Sequence, residues 1–195
     1  MSYREKLRTL SGTPLHRKNP EVWVAIERSL GVGLPNDYKD FIDGYGPVRV
    51  NGHLHFDHPS HPVWDLAKWI AETVETYAAL DWVDLSCPEF ASEDPRFGAP
   101  NGLIPLFESD RGECFFFKPG AKPRMYVYVG ADDDIYRYDV GFAEWLYRYL
   151  QGEDMAGPNS SAYYPGPVRF DALPHTEAPR GQFWFGPERS EPTPQ

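Results

Sequence analysis

The stretch that decides the fold is NPEVWVAIERSLGVGLPNDYKDFIDGYG, residues 19–46, which predicts two short amphipathic helices joined by a glycine-rich corner. Asn19 and Pro20 are typical of a helix start, and apolar residues then recur at helical spacing. Gly31 ends the first helix, because glycine takes a left-handed backbone without strain. Pro35 starts the second helix. Two helices that each bury one face need a further layer to pack against.

The same stretch carries an ordered motif: W-x-x-I-E-x-x-L-G, then L-P-x-D-Y-K-x-F, then Y-G. Its residues are Trp23, Ile26, Glu27, Leu30, Gly31, Leu34, Pro35, Tyr38, Phe41 and Gly46. This set resembles the opening of the SUKH superfamily, which includes fungal Smi/Knr-type cell-wall regulators and many bacterial immunity proteins. For Glu27 we expect a structural role at the corner between the helices.

The rest of the chain predicts the layer that these helices cover. Residues 47–56 alternate around Asn51-Gly52, a strong tight-turn signal, and residues 63–80 follow a helical pattern. After an irregular acidic segment at 81–102, residues 103–117 and 125–138 predict two hairpins, and 141–151 a closing helix. This order predicts an α+β fold with a single, mostly antiparallel sheet and helices packed against it.

Three segments follow from this pattern. Residues 1–18 form a polar N-terminal segment, which we expect to be a frayed surface helix, and residues 19–152 form the SUKH-like domain. The resemblance extends along this domain through G-L-I-P-L-F, D-x-G-x-x-x-F-F and F-x-E-W-L. Residues 153–195 are rich in proline and glycine, yet their aromatic residues, among them Tyr163 and FWF at 183–185, are too apolar for a disordered tail. We expect this extension to be partly docked on the domain.

Composition limits the partners. The net charge is −10, which argues against a nucleic-acid binder and against adhesion to an anionic membrane. Two cysteines do not make a disulfide framework, and we expect a reduced, cytoplasmic setting without a signal peptide. The oligomeric state stays open.

One short motif suggests a metal. The pattern H-x-H-x-D-H, formed by His53, His55, Asp57 and His58, resembles the zinc-binding signature of metallo-β-lactamase-type hydrolases. Such a site needs further histidines downstream, and the chain offers only His175. In an alternating strand, His53 and His55 would share the solvent-facing side. A zinc-dependent hydrolase is therefore the alternative hypothesis, and we expect no cofactor, no metal and no catalysis.

The resemblance implies a cytoplasmic domain that binds a protein, such as an immunity protein that neutralises a toxin in a bacterial polymorphic toxin system. An acidic protein can fill the basic cleft of a toxin such as a nuclease. The candidate partner-binding residues lie at strand ends and hairpin turns: Asp57, Glu108, Asp110, Asp132, Asp133 and Asp134. A general intracellular regulatory scaffold, like the fungal relatives, is the further alternative.

Overall fold

A computed structural model describes residues 1–16, 19–98, 100–161, 164–173 and 182–189. Tyr163 and His175, which the sequence singled out, lie outside these ranges. The α-helices are α1 (Tyr3–Ser11), α2 (Pro20–Leu30), α3 (Asn36–Tyr45), α4 (Leu66–Ala78) and α5 (Phe142–Leu150). The strands are β1 (Val48–Val50), β2 (Leu54–Phe56), β3 (Ile104–Ser109), β4 (Glu113–Phe117), β5 (Met125–Val129), β6 (Asp134–Tyr138), β7 (Arg169–Ala172) and β8 (Phe183–Phe185). The predicted α+β class is confirmed.

The described strands form one sheet in the order β6-β5-β4-β3-β2-β1-β7-β8. Every pair of neighbours is antiparallel, and β1 to β6 pair in chain order, as a series of hairpins does. β7 and β8 extend the sheet on the other side of β1. The predicted domain boundaries at residues 18 and 152 stay predictions.

One face of the sheet, called here the first face, is covered by α1, α2, α3 and α5. Alternate strand residues such as Phe56 and Phe115 enter a single large core with the apolar stripes of these helices. Trp145 of α5 packs 4.8 Å from Phe115, and Phe41 of α3 packs 5.1 Å from Phe56, measured between ring centroids. The buried side chains of Leu7 and Leu10 join this core, so α1 is packed rather than frayed.

The corner between α2 and α3 is held by its own residues. Gly31 takes the left-handed backbone, with φ of 67°. The Glu27 carboxylate accepts hydrogen bonds from the Leu34 backbone N–H at 2.8 Å and from the Lys39 ammonium at 2.6 Å. Asn19 occupies the cap position of α2 but makes no side-chain cap hydrogen bond.

The opposite, second face is covered over only part of its width. Tyr77 of α4 packs 5.1 Å from Phe116 and 5.2 Å from Tyr128, and Trp82 and Phe97 of the 81–98 segment join the same cluster. Glu89 fastens that segment, because it accepts a hydrogen bond from the Tyr126 hydroxyl at 2.6 Å and pairs with Lys118. The residues that the second face carries on β1, β7 and β8 are Arg49, Arg169, Asp171, Phe183 and Phe185.

α4 is shorter than the helical pattern at 63–80. It begins at Leu66 because the Asp65 carboxylate caps it, accepting from the backbone N–H groups of Ala67 at 2.9 Å and Lys68 at 3.3 Å. Among the described residues, no helix combines the length and the apolar character that crossing a membrane requires.

Candidate functional site: the α4 cleft

A cleft of about 180 Å³ lies between the start of α4 and strands β2 and β3. We call it the α4 cleft. β2 ends at Phe56, so Asp57 leaves the sheet where the longer β3 continues beside it. The residues that line the cleft are His55, Asp57, Val63, Trp64, Asp65, Lys68, Trp69, Glu72, Phe107 and Glu108.

Asp57 has the most unusual environment in this cleft. Its side chain is half-buried, and among the described residues its carboxyl group has neither a hydrogen-bond partner nor a basic partner within ion-pair distance. Burial, then the nearby carboxylates of Glu108 and Asp65, raise the pKa of Asp57 to about 7. Carboxyl groups perturbed by burial and like charge are typical of functional sites.

The other charged groups of the cleft do not neutralise Asp57. Lys68, the basic residue among the lining residues, pairs with Glu72 at 3.7 Å. Asp65 is engaged in capping α4. Glu108 is exposed at the rim. The cleft therefore combines uncompensated negative charge with two lining tryptophans, Trp64 and Trp69.

His55 of β2 is the lining residue that joins the cleft to the surface of the sheet. It lies opposite Glu108 on β3 and opposite Arg49 on β1, and Arg49 lies opposite Asp171 on β7. Burial and the positive charge of Arg49 lower the pKa of the His55 imidazole. The His55 Nε2, Arg49 Nε and Asp171 Oδ2 atoms are buried without a hydrogen-bond partner in the described structure. This row of polar atoms is suited to meeting a ligand or partner.

The histidines of the H-x-H-x-D-H motif point to different places. His53 lies in the β1–β2 turn rather than in a strand, is only 3% exposed, and accepts a hydrogen bond at Nε2 from the Tyr149 hydroxyl at 2.7 Å. The prediction that it shares the solvent side with His55 was wrong, because Asn51 and Gly52 take positive φ and break the alternation. Burial lowers the pKa of His53.

His58 has a local structural role. Its Nδ1 accepts from the Ser60 backbone N–H at 3.1 Å. Within the described residues, no three His, Cys, Asp or Glu side chains are grouped so that they could hold a metal ion. The structure thus does not bring His53, His55, Asp57 and His58 together as a ligand set.

The predicted partner-binding residues fall into two groups. Asp57 and Glu108 meet in the α4 cleft. The other four lie at one end of the sheet: Asp110 in the β3–β4 turn, Asp132 and Asp133 in the β5–β6 turn, and Asp134 at the start of β6. Three of these four support local structure: Asp132 accepts from the Tyr136 hydroxyl, Asp133 from the Tyr128 hydroxyl and Asp134 from the Ser86 backbone N–H.

A larger cavity of about 380 Å³ lies between α1 and α3. Arg4 and Asp40 in its wall form an ion pair with each other, and Asp37 accepts from the Ala143 backbone N–H at 2.8 Å. Its charged groups therefore serve the packing of helices, and the α4 cleft is the better candidate site.

Sequence reasoning missed the α4 contribution to the site. Trp64, Asp65 and Trp69 were interpreted as parts of a helical pattern, and nothing in their spacing connects them to Glu108, about forty residues later. The available signal was Asp57, which directly follows the short strand pattern ending at Phe56 and precedes the helical pattern at 63–80.

Comparison with known proteins identifies a family. A family model described as SUKH_6, SMI1-KNR4 cell-wall, matches residues 21–146, which run from α2 into the first half of α5 and include β1 to β6 and the residues that line the α4 cleft. No curated protein and no solved structure matches the chain.

Proposed function

The chain belongs to the SUKH_6 family of SMI1-KNR4 domains, and from this premise we propose that it is an immunity-type protein that binds and neutralises a basic toxin domain. The family commonly supplies immunity proteins, and its domains bind partner proteins. The action we propose is stoichiometric occupancy in the cytoplasm, which needs no catalytic group and no cofactor.

The observation that carries this proposal is the uncompensated Asp57 in the α4 cleft. Folding leaves this carboxyl group half-buried beside Glu108 and Asp65 and without a cation, which disfavours its ionised form unless another molecule supplies positive charge. A basic protein surface supplies it. The net charge of −10 adds long-range attraction, which speeds association with a positively charged partner.

The partner class follows from the same charges. Nuclease toxins hold phosphates in basic clefts, and an acidic surface that enters such a cleft excludes the nucleic acid. We propose that the α4 cleft contacts the toxin directly and that the acidic turns carrying Asp110 and residues 132–134 contribute to steering.

Co-expression with a toxin tests the proposal. A toxin domain encoded in a reading frame beside this gene is expressed in a host, alone or with the full chain. We expect the chain to restore growth and to form a one-to-one complex in size-exclusion chromatography. Protection should be lost in the double variant Asp57→Asn/Glu108→Gln. It should persist in Glu93→Gln, which removes an exposed glutamate of the 81–98 segment.

Two outcomes would overturn the proposal. One is that no neighbouring toxin is neutralised and the gene adjoins no toxin-like reading frame, which would favour the regulatory scaffold. The other is protection without a complex, which would mean that the chain acts on something other than the toxin itself.

A further inference from the structure

The shape of the α4 cleft limits what can enter it. Its volume of about 180 Å³ suits a single side chain rather than a folded segment. Two tryptophans, Trp64 and Trp69, are among the residues that line it. Aromatic faces attract cations through their negative potential, and this attraction is strongest for tryptophan.

The charge in the cleft selects a cation. Neither Asp57 nor Glu108 has a basic partner within ion-pair distance among the described residues, while Lys68 is paired with Glu72 and Asp65 is engaged at the helix cap. One available carboxylate lies on β3, where Glu108 is opposite His55 of β2, and the other belongs to Asp57, which directly follows β2.

A bare metal ion fits these groups poorly, since in the described part of the chain no three potential ligands are grouped to hold one. A guanidinium group fits better. It is planar, it stacks on aromatic rings, it is less strongly hydrated than an ammonium group, and it can donate to two carboxylates at once.

We propose that the α4 cleft is an arginine-binding pocket, in which one arginine side chain of the protein partner lies against Trp64 and Trp69 and donates hydrogen bonds to Asp57 and Glu108. This inference rests on the proposed function for its physiological ligand. The pocket itself is a property of this chain and can be tested without the toxin.

Binding of the guanidinium requires the Asp57 carboxylate to be ionised, so the affinity depends on pH. The titratable or charged groups near Asp57 are His55 and His58 beside it, Glu108 from β3, Asp65, Lys68 and Glu72 from α4, and Tyr38 from α3. Of these groups, the carboxylates of Glu108 and Asp65 raise the pKa of Asp57 most, and the positive charge of an incoming cation favours loss of the Asp57 proton. Arginine binding therefore releases up to one proton well below pH 7 and almost none well above it.

The test uses the full chain and N-acetyl-arginine methylamide, with the lysine and norleucine methylamides as comparisons. Binding is followed by NMR through the indole N–H signals of Trp64 and Trp69. We expect saturable shifts of these two signals with the arginine probe, weaker shifts with lysine and none with norleucine. The affinity should be about tenfold lower at pH 6 than at pH 8, as ionisation of one group with a pKa near 7 requires.

Variants locate the binding. Asp57→Asn should abolish the shifts at both pH values. Glu108→Gln should weaken binding several-fold and move its pH dependence to lower pH, because the Glu108 charge helps to raise the pKa of Asp57. Glu93→Gln should behave as the wild type. Three outcomes would contradict the proposed arginine pocket. They are shifts spread evenly over surface residues, binding of the norleucine probe as strong as that of the arginine probe, and undiminished binding by Asp57→Asn.

The outcomes separate this inference from the proposed function. Arginine binding in a chain that neutralises no toxin would support the pocket and overturn the immunity role. If the Asp57→Asn variant still neutralises the toxin, the immunity role is supported, but the arginine pocket is not the surface that contacts the toxin.

Discussion

The two faces of the sheet differ in what their residues do. The first face is closed by four helices, and its buried aromatic residues pack ring against ring. The second face is closed over β3 to β6 by α4 and the 81–98 segment, but it carries polar and exposed residues toward β1, β7 and β8. Because strand side chains alternate, one strand serves both faces: β2 sends Phe56 into the core and His55 toward the cleft. The residues of the buried core and those that line the cleft thus alternate along the same strand.

The largest effect should come from the first face. Trp23 is 3% exposed, and its indole N–H donates to the buried Asp43 carboxylate at 2.9 Å. Trp23→Ala should lower the free energy of unfolding by about 3–5 kcal/mol, because it opens a cavity and leaves Asp43 without this donor. Urea unfolding measures this change.

Val24→Ala is the matched control, since Val24 is 51% exposed on the same helix and should change stability little. A loss under about 1 kcal/mol in Trp23→Ala would mean that the first face does not dominate stability.

The second face should contain a residue whose removal stabilises the protein. The folded-state pKa of Asp57 is raised from 3.8 to about 7, so the contribution of this group to stability falls as pH rises from about 4 through 7. The full shift corresponds to about 4 kcal/mol, and we expect about half of it because the side chain is only half-buried. Asp57→Asn removes this penalty and should therefore stabilise the fold by about 2 kcal/mol at pH 8, and by almost nothing at pH 4. Paired urea unfolding curves at the two pH values give the difference.

Equal stability of Asp57→Asn and wild type at both pH values would show that the cleft does not disfavour ionisation of the Asp57 carboxyl group. Asp139→Asn is the matched control, because Asp139 is exposed and pairs with Arg124 and Arg137; it should not stabilise the fold at pH 8.

The covered part of the second face should be held more weakly than the first face. Although burial opposes ionisation, hydrogen bonds from Lys118 and Tyr126 lower the pKa of Glu89, so its stabilisation is present near neutral pH and is lost on acidification. Glu89→Gln should cost about 1 kcal/mol and speed hydrogen exchange in the 81–98 segment. Exchange in α2 and α3 should stay slow, and acceleration there instead would contradict the separation of the two faces.

The smallest expected effect concerns salt. Affinity for the basic partner should fall about threefold to fivefold between low and high ionic strength, because exposed charge pairs are screened over a Debye length of about 8 Å at physiological salt. Isothermal titration calorimetry at several salt concentrations measures it. An affinity that does not change with salt concentration would show that electrostatic attraction does not contribute to the proposed binding.

Much of the first face could be predicted from the sequence. The apolar spacing of residues 19–46 and of α5 is local, and so are the turn signals at Asn51-Gly52 and Ser109 to Gly112. His53 was misplaced because the turn extends one residue beyond Gly52, and alternation restarts only at Leu54.

The cleft could not be predicted in the same way. Its walls come from β2, β3 and α4, and the environment of Asp57 depends on Glu108 and Asp65, which only the folded sheet brings near it. The strand character of 169–172 and 183–185 was also missed, because short strands among prolines and glycines carry little periodic signal.

The position of β7 has a consequence for synthesis of the chain. β1 to β6 can pair one after another as their residues leave the ribosome, since each strand pairs with the one synthesised just before it. β1 must wait for Phe170 to pair with Val50, so its outer edge stays unpaired through most of translation. An unpaired edge templates intermolecular strand addition. Nascent chains crowded on one messenger RNA would therefore be most prone to misassembly at β1, and a chaperone that shields this edge would raise the yield of native protein.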